Sequence, residues 1–421
     1  MFKIVPNSYE EENELLSKSI DDLARLGAKK LILEALKLEV DTYVDMAKDA
    51  RDDDGKALVV KNGQAKTRKI LTGAGQIDIK APRVNDKRPG RKFESVILPP
   101  YVRKSPKIEN VIPILYLKGL SGNAFESALE ELLGPDAGGL SASSIASLKK
   151  IWIKELKEWA KRPITEKFAY LWVDGVNVSI RLGEDKSICL LVVMGVTISG
   201  EKKLLAVDGG YRESKENWKI IFNDLIDRGL EAPLLIAGDG ALGMWAAIKE
   251  IEIFKDTKEQ RCWFHKMGNV VNTLPKRLHD QAKNSMNEMM KSETRKDADR
   301  ELKKFKLFFE DKYPKAVKCL EKDWKELTTF FDFPALHWQH IRTTNPIESA
   351  FATVKLRTKT TKGAGNTEMA KAMAFKLLYE SESRWRKIRG FKELEILWAG
   401  GIYKDGKLIE DDSGQQDAVA F

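Results

Sequence analysis

Between residues 168 and 264 the chain carries an order of apolar runs that few architectures accommodate. Three runs come first, from Phe168 to Arg181, from Ile188 to Thr197 and from Lys203 to Val207. Gly-containing turns link them, which predicts consecutive antiparallel strands. A helical pattern from Lys215 to Arg228 follows, then a strand from Leu234 to Ala237, a helix from Leu242 to Ile251 and a strand from Arg261 to Phe264. Three antiparallel strands followed by alternating helix and strand is the order of the RNase H-like fold, so an α/β or α+β core is expected here.

The rest of the 421 residues must fold around that core or beside it, since at about 100–200 residues per domain two to four units are expected. Residues 1–50 show helical periodicity through Leu15, Ile20, Leu23, Leu36 and Val40, ended by Asp52, Asp53, Asp54 and Gly55. Residues 51–105 change to short alternating runs broken by Gly and Pro, which suits a small β-rich module. Residues 106–165 read as helices from Ile108 to Lys118, Gly122 to Leu133 and Ser141 to Trp159, with Ser141 as a candidate N-cap. Helix, Gly-containing turn and helix fits a helix-turn-helix and equally an ordinary connector. The core then runs over 166–265, is interrupted by an almost wholly helical stretch over 266–340, resumes over 341–390, and leaves 391–421 as a C-terminal tail.

With 43% hydrophobic residues the chain is not a disordered tail, and Cys189, Cys262 and Cys319 are too few and too scattered for a disulfide framework. The start MFKIVPNSYEEEN lacks the pattern of a secretory signal. The most apolar run, Ile188 to Ile198, is shorter than the ~20 residues of a spanning helix. A soluble, cytoplasmic protein without a membrane partner is expected.

The formal charge of +9 is unevenly placed. Lys61 to Lys107 holds 13 Lys/Arg against Asp78, Asp86 and Glu94, a local +10. Arg342 to Arg389 holds 11 against Glu348, Glu368, Glu380 and Glu382, a local +7, which leaves about −8 elsewhere. Either block alone could be a solvated face. Two blocks in an otherwise acidic chain point to a polyanion, because phosphate neutralisation is the sequence-independent part of nucleic-acid binding. Candidate contacts are Lys66, Arg68, Lys69, Arg83, Arg88, Arg91 and Lys92 in the first block, and Arg342, Asn345, Lys355, Arg357 and Lys359 in the second.

Three acids could do chemistry. Asp174 lies inside the apolar run YLWVDGVNVSI, where a carboxylate is costly unless it is paired or ligates a metal; the alternative is a strand-edge Asp turning at Gly175. Asp239 closes LLIAGDG at a strand end, where α/β sheets place ligand groups and where an Asp also caps helices. Glu348 in TTNPIESA fits a capping box, with Asn345 as N-cap and Pro346 at the first helical position. If the three converge, their repulsion calls for a divalent cation, and oxygen ligands suit Mg²⁺ or Mn²⁺. Two such ions can serve phosphodiester chemistry. Cys262 and His265 form C-x-x-H, and His337 and His340 form H-x-x-H; the four together could hold a structural Zn²⁺. A packed Cys beside a hydrogen-bonded His is the simpler reading. Trp263 and Trp338 flank these pairs, as core residues or as stacking platforms for an unpaired base.

The segments YLWVDGV, LLVVMGVTISGEKKLLAV, GYRESKENW, DGALGMWAAI, QRCWFHKMGNVVNTLPK and IRTTNPIESAFATVKLRTKTTKG resemble, in order and spacing, the mutator-type family of bacterial insertion-sequence transposases. NGQAKTRKILTGAGQIDIKAPRV and YLKGLSGNAFESALEELLG resemble that family's N-terminal region. The resemblance implies an RNase H-like catalytic core with a helical insertion between the second Asp and the Glu. It implies an acidic triad at Asp174, Asp239 and Glu348, with Cys262 and His265 in support. It further implies metal-dependent strand cleavage and transfer on double-stranded DNA, at terminal inverted repeats and a target, by a homodimer or larger assembly. Phe351 departs from the family, which often shows Asn there, and puts a DNA contact in doubt. A regulator of the same fold without catalysis, and an RNase H-like nuclease, are the alternatives.

Overall fold

In the computed structural model the described residues are 18–117, 142–181, 186–210, 214–360 and 363–409, with a few helical positions between 127 and 133. They divide into two compact units, Met1–Leu148 and Lys149–Phe421.

In the first unit, helix α1 (Ile20–Met46) starts at Ser19, whose Oγ accepts from the Asp22 N–H at 3.2 Å. The earlier part of the expected helix lies outside the described residues. Strands β1 (Val59–Gln64), β2 (Arg68–Thr72), β3 (Gly75–Ile79) and β4 (Pro82–Asp86) form two small antiparallel sheets, β1 with β4 and β2 with β3. Alternation along β2 and β3 sends Ile70, Ile77 and Ile79 inward against Leu36 of α1 and Leu98. Helix α2 (Pro106–Leu117) follows. The expected helix from Gly122 to Leu133 lies mostly, and the Ser141 cap wholly, outside the described residues, and so does the helix-turn-helix reading.

The second unit opens with α3 (Ala142–Trp159, which begins just before the division) and then builds one mixed sheet. Its strands are β5 (Phe168–Ser179), β6 (Ser187–Thr197), β7 (Lys202–Gly210), β8 (Leu235–Gly238) and β9 (Lys258–Arg261), in the order β7-β6-β5-β8-β9. β5, β6 and β7 are antiparallel, whereas β8 and β9 run parallel to β5. Helices α4 (Lys215–Asp227) and α5 (Leu242–Lys249) provide the crossovers, and their Trp218, Phe222, Leu225, Met244 and Ile248 bury one face of the sheet with Leu171, Val173, Leu191, Val193 and Ile236.

One strand is displaced from its expected place. The apolar residues Cys262, Trp263 and Phe264 are not a strand but the start of helix α6 (Trp263–Val271), and β9 is the polar stretch before them. An edge strand such as β9 has no apolar alternation to betray it.

The stretch that follows is helical, with α7 (His279–Lys291), α8 (Arg295–Phe309), α9 (Pro314–Glu321), α10 (Trp324–Leu327) and α11 (Trp338–Ile341). The chain then returns through α12 (Asn345–Thr360) against β5 and α13 (Thr367–Glu382) against β7. Residues expected as a tail stay folded to Ile409, as α14 (Glu393–Trp398) and the hairpin β10 (Tyr403–Lys404) and β11 (Lys407–Leu408), with Tyr403 buried. No helix among the described residues is long and apolar enough to cross a membrane.

Candidate active site

Strand register brings three positions into one row across β5, β8 and β9. Val173 on β5 pairs with Gly238 on β8, and Gly238 pairs with Arg261 on β9. The next residues therefore form a row: Asp239 and Cys262 just past the C-terminal ends of β8 and β9, where open sheets place ligand groups, and Asp174 beside them within the longer β5. Side chains alternate along β5, so Val173 enters the core while Trp172 and Asp174 take the face that α12 covers. Trp172 fixes that side by donating from Nε1 to the His340 carbonyl at 2.9 Å.

Asp239 is aimed by its turn. Its Oδ1 accepts from the Ala241 N–H at 2.8 Å, and Ala241 rather than Asp239 takes the N-cap position of α5. Gly240 has φ +84, and a Cβ there would lie 1.0 Å from Arg261 Nη1, so only glycine lets the guanidinium pass beneath the turn. Arg261 and Lys266 both pair with Asp323, at 3.3 and 2.7 Å, which ties the turn and α6 to the helical insertion.

Glu348 arrives in the first turn of α12. The helix start differs from expectation by one residue: Thr344 precedes it, and the Thr344 carbonyl accepts the N–H groups of Ile347 and Glu348 at 3.1 and 3.0 Å. The Thr344 hydroxyl donates to Glu348 Oε1 at 2.6 Å and also lies 3.2 Å from Cys262 Sγ and 3.4 Å from His265 Nδ1. Cys262 anchors the other side, its N–H donating to the Gly238 carbonyl at 2.8 Å. His265 Nδ1 stands 3.7 Å from Glu348 Oε1.

The electrostatics show that these groups sense one another. Burial, and next the charge of Asp239, push Asp174 up to about 7; Glu348 acts the same way, against His265 and the Gly175 N–H at 2.8 Å. His265 is raised to about 9, first by its hydrogen bond to Cys262, then by the charges of Cys262, Asp174 and Glu348, which together outweigh burial. Burial opposes ionisation of Cys262, yet the hydrogen bonds from His265 and Thr344 bring its thiol below the ordinary range. Asp174, Asp239, Glu348, Cys262 and His265 thus share one locus.

Other expectations need correction. His337 cannot join Cys262 and His265 around a zinc ion, because Nδ1 bonds the Tyr170 hydroxyl at 2.7 Å and Nε2 the Gly390 carbonyl at 2.9 Å. His340 accepts from the Arg389 N–H at 3.0 Å. Trp263 and Trp338 are no stacking platforms: each donates its Nε1 proton inward, to the carbonyls of Leu327 and Phe333, and packs on aromatic neighbours. Arg357 is 1% exposed and Phe351 is buried, so neither side chain is open to solvent. Arg88 is engaged by Asp86 at 2.8 Å and by the Tyr43 hydroxyl at 3.1 Å. Arg68 bonds the Pro99 carbonyl and Arg342 the Met290 carbonyl, both half-buried. Lys66, Lys69, Arg83, Arg91, Lys92, Asn345, Lys355 and Lys359 are exposed. Thr344, Arg261 and Asp323 were not singled out in the sequence. Only the TT before NPIES and the DG turn hint at the first two.

The Mutator family of transposases matches this chain over residues 3–388. The chain belongs to that family. The transposase of insertion sequence element IS6120 from Mycolicibacterium smegmatis is 45% identical over 304 residues, covering 72% of this chain and 93% of the relative. That of IST2 from Acidithiobacillus ferrooxidans is 44% identical over 282 residues, covering 67% and 95%. That of ISRM5 from Rhizobium meliloti is 26% identical, with 88% of this chain and 90% of the relative covered.

Proposed function

We propose that this transposase cuts and joins DNA strands at the carboxylates of Asp174, Asp239 and Glu348, on an RNase H-like core. The observation that carries the reading is the convergence itself: register sets the buried Asp174 beside Asp239 and Cys262, and Thr344 joins Cys262 and His265 to Glu348. The sheet order β7-β6-β5-β8-β9 supports the fold assignment.

The donor set fits Mg²⁺ or Mn²⁺, since carboxylate oxygens are what these ions take and a cation relieves the mutual repulsion. When bound, the metal lowers the cost of charge on the attacking and leaving oxygens of a phosphodiester. The residues themselves do the positioning. Asp174 is held rigidly by β5, Asp239 by its turn, and Glu348 by Thr344 and the first turn of α12. Cys262 and His265 support Glu348 from beside. Water attacks the phosphorus at the element end and displaces the 3′-oxygen, which leaves as a 3′-hydroxyl. That hydroxyl then attacks a target phosphorus, giving up its proton and displacing the target's 3′-oxygen, so one phosphodiester bond forms as one breaks. Exposed Lys355 and Lys359 lie further along the helix that bears Glu348, where they can steady a strand, while the basic β-rich module engages the terminal inverted repeats. Bringing two ends together calls for a dimer or larger assembly on nucleoid DNA.

Asp174→Asn, Asp239→Asn and Glu348→Gln are each expected to abolish cleavage and joining of end-labelled terminal-repeat DNA with Mg²⁺ or Mn²⁺, and to leave gel-shift binding intact. Robust cleavage by any of the three overturns the assignment. Binding without cleavage by the unaltered protein would favour a regulator instead.

A further inference from the structure

Cys262, His265 and Glu348 offer one sulfur, one imidazole nitrogen and one carboxylate oxygen, all within 4.8 Å of one another. A tetrahedral ion with ligands at roughly 2.0–2.3 Å holds its donors roughly 3.3–3.8 Å apart, so small side-chain adjustments bring the three into its shell. Each donor stands on a rigid start. Cys262 is pinned by its N–H to Gly238, His265 follows three residues later on the first turn of α6, and Glu348 opens α12. Thr344 already joins them through one hydroxyl, 2.6 Å from Glu348 Oε1 and 3.2 Å from Cys262 Sγ.

The side chains of His265 and Glu348 are 39% and 35% exposed, whereas Cys262 is fully buried. An ion can therefore enter from solvent and meet the sulfur at the floor. Mg²⁺ selects oxygen donors; a sulfur, nitrogen and oxygen set suits Zn²⁺ and its soft relatives. The site differs in donor chemistry from the three carboxylates, and the two share Glu348.

We propose that Cys262, His265 and Glu348 bind a thiophilic divalent cation of the Zn²⁺ class, and that its binding withdraws Glu348 from the carboxylate set and inhibits strand cleavage. The binding stands on geometry alone, and only the inhibition rests on the function proposed above.

The test titrates the full-length, metal-free protein with Co²⁺, whose thiolate charge-transfer absorbance reports a sulfur ligand. One equivalent with that absorbance is expected, displaced by Zn²⁺ and not by millimolar Mg²⁺. Cys262→Ser should abolish the absorbance, Glu348→Gln should weaken Co²⁺ binding at least about tenfold, and Asp174→Asn should leave both unchanged. No charge-transfer absorbance, its survival in folded Cys262→Ser, or unaltered Co²⁺ affinity in Glu348→Gln overturns the site. If Cys262→Ser does not fold, Glu348→Gln decides. Stoichiometric Zn²⁺ under millimolar Mg²⁺ should slow cleavage at least about tenfold; undiminished cleavage at saturation overturns the inhibition while leaving the binding result to stand separately. Cleavage by Asp174→Asn would sink the carboxylate reading and not this site.

Discussion

Burying Asp174 costs the metal-free protein stability, and the sign of that cost follows from its proton. The folded chain holds the proton up to about pH 7, while an unfolded chain releases it near 3.8. The stabilising protonated form is fully present below the lower value and is lost as pH rises through the upper one. Above that, the ionised carboxylate destabilises the fold by at most about 4 kcal/mol. With a chelator present, Asp174→Asn is expected to melt several degrees above wild type at pH 8 and alike at pH 3, and added Mg²⁺ should raise only the wild type at pH 8. Equal melting at pH 8 would contradict the burial argument. Asp174 is legible in the sequence because an acid inside YLWVDGV is an exception to its surroundings. Thr344 is not legible, because a threonine before a helix is ordinary until Cys262, His265 and Glu348 are seen around it.

At the scale of elements, the start of α6 is locked by charge as well as by packing. Lys266 is 2% exposed, and its Nζ lies 2.7 Å from Asp323, which also holds Arg261. Removing one partner of a buried pair leaves the other charge uncompensated. Asp323→Ala should therefore cost about 3 kcal/mol, read as a lower urea midpoint. Lys266→Met should cost less, because Asp323 keeps Arg261 and is itself 25% exposed. An Asp323→Ala midpoint equal to wild type would show that the pair does not hold the insertion. Strong apolar periodicity made β5, β6, α4 and α5 legible. β9 is not legible, because pairing with β8 forms it, not its own residues: Lys258, Glu259, Gln260 and Arg261 carry no strand pattern.

For the whole molecule, charge is concentrated in two basic blocks, and burial decides which of those charges are available. Reversing Lys66, Lys69, Arg83, Arg91 and Lys92 to Glu is expected to weaken terminal-repeat binding and to flatten its dependence on salt by roughly one unit per lost phosphate contact, with melting unchanged. Arg88→Ala should behave differently and lower the melting temperature, because Asp86 and Tyr43 lose their partner. Binding that keeps its salt slope in the reversed variant would place the DNA elsewhere.

The sequence by itself determined the acids, the order of strands and helices around them and the family, because periodicity, turn residues and motif spacing are local properties of a chain. Tertiary structure alone decided that Asp174 lies in register beside Asp239, that Thr344 joins Glu348 to Cys262 and His265, that His337 is already committed to Tyr170 and Gly390, and that Arg357 is buried. Each of those outcomes depends on strand register or helix packing between residues far apart in the chain. Such contacts exist only once the sheet has paired and α12 has closed over β5.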